Sequence, residues 1–130
     1  MKKIMLLVLL ATALSAEYIP FKVKLNMYDR MVVETILPKE ANFVTLKILN
    51  DLRMELSPTA EELKAINIRQ NPEGTGIIGD WDKVPEKEIV FYELTEKAVV
   101  DALKKLDSES KLLAEHLSIY QKFVMREDGK

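Results

Sequence analysis

The sequence predicts an α+β fold, about five helices packed on a small antiparallel sheet or hairpin, and three features of the chain carry that expectation. Segments with apolar residues every three or four positions dominate. Segments that alternate apolar and polar residues are short. The two kinds are segregated, in the order of one strand, three helices, a small β region and two helices, without the regular strand and helix alternation of a parallel sheet. Strands so few cannot form a core alone, so helices must cover them. At 130 residues one core suffices, and 48% apolar with 31% charged residues fits neither a disordered tail nor an integral membrane protein.

Phe21, Lys22, Val23, Lys24 and Leu25 alternate with the period of a half-buried strand, and Pro20 is tolerated at its entry. From Met27 the period lengthens: Tyr28, Met31, Val32 and Ile36 fall at helical spacing, and Pro38 closes this first helix. A second helix over 40–56 carries Phe43, Leu46, Leu49, Leu52 and Leu56 on one stripe, with Lys47, Asn50, Asp51 and Arg53 mostly elsewhere. Thr59 and Glu62 have the spacing of a capping box and start a third, short helix that runs to about Ala65. Ile66, Asn67 and Ile68 then alternate, residues 71–76 are rich in turn formers, Ile77 and Ile78 are β-branched, and 88–92 reads as a strand. Two or three strands follow, with Gly74 and Gly76 supplying positive φ in a hairpin. Thr95 is placed as the cap of a helix with Val99, Ala102, Leu103 and Leu106 inward. Ser108 or Ser110 is placed as the cap of a last helix carrying Leu113, Leu117, Tyr120 and Val124, and 125–130 reads as a polar tail.

The N-terminus has the form of an export signal. Lys2 and Lys3 precede an unbroken apolar run over 4–10, and Ala11, Ala13 and Ser15 are small residues at the spacing a signal peptidase reads. Residues 1–15 are therefore expected to be a signal peptide and 16–124 a single domain, secreted or periplasmic if the signal works and cytoplasmic otherwise. The run is too short to span a bilayer, so no stable membrane insertion is expected after signal removal. Loss of Lys2 and Lys3 makes the mature chain more acidic than the formal −2 of the whole, and the basic residues are interleaved with acidic ones, which argues against nucleic acid as a partner. Cysteine is absent and His116 is the only histidine, which excludes disulfides, thiolate chemistry and sites needing two imidazoles from one chain.

Asp80 and Asp82 flank Trp81, the only tryptophan. On a strand the two carboxylates share one face, where they can bind a cation or work as an acid and base pair. The stretch lacks the further oxygen ligands of a calcium loop, and adjacent strand positions do not oppose two carboxylates across a cleft, so a solvated turn anchored by Trp81 is the preferred reading. His116 follows Glu115, but consecutive helical residues do not face each other, so only Glu96 or Glu109 from elsewhere would orient the ring. Asp80, Asp82 and His116 are thus the metal or catalytic candidates of an alternative reading; no catalytic residue and no cofactor is assigned. Gly74, Thr75 and Gly76 lead toward a strand and lack the Lys and Ser or Thr of a phosphate loop. Met27, Tyr28, Met31, Val32 and Met54 are consistent with an adaptable binding surface, although core filling explains the same residues and is preferred.

Two stretches, Phe21 to Leu25 leading through 37–47, and 102–107 leading to 115–123, resemble a group of short uncharacterised proteins from bacterial and tailed-phage or prophage genomes. The resemblance implies no activity. The expectation is a non-enzymatic interaction or accessory protein with a protein partner, its oligomeric state open. The alternatives are a small metal-dependent hydrolase using the Asp pair, and a virion or assembly component.

Overall fold

The computed structural model describes residues 18–126. The expected signal peptide at 1–15 and the end of the expected tail at 127–130 lie outside the described residues. The element order is β1 (Phe21–Leu25), α1 (Met27–Ile36), α2 (Phe43–Leu56), α3 (Ala60–Ile66), β2 (Arg69–Gln70), β3 (Ile77–Ile78), a 3-10 turn (Trp81–Lys83), β4 (Lys87–Phe91) and α4 (Glu93–Ser108). A last helical segment begins as 3-10 (Ala114–His116), continues as α5 (Leu117–Tyr120) and ends with π spacing (Gln121–Met125). Helices over two small antiparallel sheets make this the α+β fold the patterning predicts.

Local chemistry sets most boundaries. Asn26 caps α1 by accepting the Asp29 amide at 2.7 Å, and Asn42 caps α2 by accepting the Thr45 amide at 2.9 Å. Both helices stop before a proline, because Leu37 and Ser57, which precede Pro38 and Pro58, are pushed into extended backbone. The Thr59 and Glu62 capping box forms as expected, with reciprocal bonds of 3.1 and 2.9 Å. The strand expected at Ile66 to Ile68 does not form there. Ile66 is the buried last residue of α3, Asn67 takes the left-handed cap at φ 50°, and β2 begins only at Arg69. β2 pairs with β3 across a turn where Gly74 and Gly76 adopt φ of 77° and 93°, as the hairpin reading requires.

β1 pairs antiparallel with β4, Phe21 opposite Phe91 and Leu25 opposite Lys87, so two strands far apart in sequence close the domain. Over this pair, Val32 and Val33 of α1, Leu49, Leu52 and Leu56 of α2, and Val99 and Leu103 of α4 meet Ile119 and Phe123 in one core. Phe43, expected on the α2 stripe, is 79% exposed, because the first turn of that helix runs beyond the layer it covers. Thr95 is the third residue of α4, not its cap; the helix begins two residues earlier and the Thr95 hydroxyl accepts the Tyr92 amide at 2.9 Å.

The last helix departs furthest from expectation. Ser108 ends α4, Ser110 turns the chain at φ 55°, and neither caps the segment that follows. Leu113 and Leu117, expected inward, are 58% and 59% exposed, while Ile119 and Phe123 are fully buried. A uniform α-helical period fails here because the segment starts as a 3-10 turn and ends with π spacing, which sets Phe123 and Val124 both inward. Met125 and Arg126, expected in the polar tail, still belong to this helix, and the Arg126 guanidinium lies 3.7 Å from the centre of the Phe21 ring. Buried Asp29 pins the segment to α1: Lys122 reaches it at 2.9 Å and the Ser118 hydroxyl donates to it at 3.2 Å.

Candidate functional site

α1 does not bury all of the residues that its period assigns to the core. Met27 and Val32 are buried, but Tyr28 and Met31 stand 41% and 37% exposed beside Trp81. The Trp81 turn is brought there by a close approach: a Cβ on Gly79 would lie 2.8 Å from Ile66 and 3.3 Å from Trp81, so only glycine lets the indole rest on the end of α3. Trp81 packs on a small second core of Met27, Ile66 and Val84 and turns its ring edge-on to Tyr28, centres 5.9 Å apart at 72°. Leu56 and Pro58, where α2 stops, complete the apolar walls of a groove of about 340 Å³.

Most polar groups of the groove are already engaged. Arg30 is fully buried and its guanidinium forks onto the Glu62 carboxylate, one arm at 3.3 Å, while Glu62 also accepts the Thr59 amide. The hydrogen bond from Arg30 holds the Glu62 carboxyl below the usual carboxylate range, against the opposing effect of burial. Glu34 lies 3.5 Å from Arg53, whose guanidinium also donates to the Pro38 carbonyl at 2.8 Å. The Thr35 hydroxyl donates to the Val32 carbonyl at 2.6 Å. Two groups remain. The Arg30 Nε–H is buried without an acceptor, and among the described residues no cation pairs with Glu115, which also lines the groove.

Asp80 and Asp82 lie at a turn anchored by Trp81, the preferred reading, and not on the strand face that the metal or acid and base alternative needs. Asp80 precedes a 3-10 turn that holds Trp81 and Asp82, so the shared strand face does not arise. Arg69 at 3.3 Å and Lys83 at 3.5 Å take up Asp80, and the bond from Arg69 lowers its carboxyl. His116 is buried at the start of the last helix, where Nδ1 accepts the Leu113 amide at 2.9 Å. Glu96 is engaged by the Tyr18 hydroxyl and Arg126, and Glu109 by Lys111 at 3.8 Å, so neither is the partner considered for His116. Among the described residues, no three carboxylate or imidazole side chains gather where they could hold a metal ion.

The groove was not legible as a site, because its walls come from α1, the end of α2 and a turn far along the chain. The one available signal was the Met and Tyr cluster of α1. No helix among the described residues is long and apolar enough to cross a membrane. No family model, no curated protein and no solved structure matches the chain.

Proposed function

We propose that this chain is a non-enzymatic interaction or accessory protein that holds a partner protein in the groove between α1 and Trp81. The observation that carries the reading is the exposure of Tyr28 and Met31, at 41% and 37%, on a helix whose other apolar residues are packed inward. Rigid aromatic side chains beside an adaptable methionine are the composition of protein-binding surfaces. Arg30, Glu34, Thr35 and Ser57 of the groove are each engaged in contacts within the fold. The virion-component alternative differs in requiring a defined oligomer.

Capture from extracts of the source cells tests the proposal. Met31→Glu places a charge in the groove, whereas Met54→Glu alters an α2 residue that is 71% exposed and outside it. The Met31 variant is expected to lose a protein that the unaltered chain and the Met54 variant both retain, with urea midpoints of all three alike. Capture of the same proteins by all three, or of none by any, contradicts the reading.

A further inference from the structure

We draw no further inference here: the strongest candidate, the groove between α2 and the outer edge of β4 that Ile48, Glu55, Val90 and Tyr92 line, is an unpartnered apolar face, and nothing in the structure shows what covers it.

Discussion

Glu62→Gln is expected to destabilise the fold by about 3 kcal/mol at neutral pH, near the lower end of what removal of one member of a buried ion pair costs. The reason is asymmetry of burial. The Arg30 side chain is 0% exposed and has no route to water, while Glu62 is 21% exposed and keeps the Thr59 amide. Neutralising Glu62 leaves an uncompensated cation inside the protein. Arg30→Met, in contrast, removes both that cation and the unpaired Nε–H, so it is expected to cost less than Glu62→Gln. The pH dependence follows the same pair. The Glu62 carboxyl is lowered in the folded state from an ordinary 4.5, so its contribution is complete above that value and is lost as pH falls through the lower folded one. Urea denaturation of both variants between neutral and acid pH reads this directly: the gap between unaltered chain and Glu62→Gln closes on acidification. A larger loss for Arg30→Met than for Glu62→Gln contradicts the account of the pair.

Phe123→Ala is expected to cost about 3 to 5 kcal/mol, the range for truncating a buried phenylalanine. Its ring meets Phe21 edge-on at 5.3 Å and Phe91 at 4.9 Å, so one side chain of the last helix touches both members of the β1–β4 pair. Phe123→Leu keeps most of the volume and loses the ring geometry, and is expected to retain more than half of the stability that the alanine variant loses. A urea midpoint for Phe123→Ala close to that of the unaltered chain would mean that the last helix is not part of the core.

Where order along the chain determines structure, the sequence was a good guide. Thr59 and Glu62 form their capping box at the spacing that local hydrogen bonding demands, and Pro38 closes α1, whereas the start of α2 at Phe43, set by the Asn42 cap, comes later than the expected 40. The glycines of the β2–β3 turn adopt the positive φ that a hairpin needs. Where distant segments decide, the period misleads. Leu117 is apolar and sits on the expected stripe, yet the 3-10 start of its helix leaves it outward, and Ile119 and Phe123 join Val124 in the interior. Met27 and Met31, one helical turn apart, look equivalent in sequence. Met27 is buried in the small core that Trp81 packs on, while Met31 is left 37% exposed in the groove, and the place of Trp81 depends on Gly79 lying against Ile66. Asp80 and Asp82 share a face only on a strand, and the strand before them, Ile77–Ile78, ends before the chain reaches them, so the turn reading holds.

A photo-crosslinking amino acid placed at Met31, with a second chain carrying it at Met54, tests most directly whether the groove is where a partner sits. Irradiation in extract of the source cells is expected to give a single protein adduct from position 31 and none from position 54. An adduct at position 54 with none at position 31 would contradict the account.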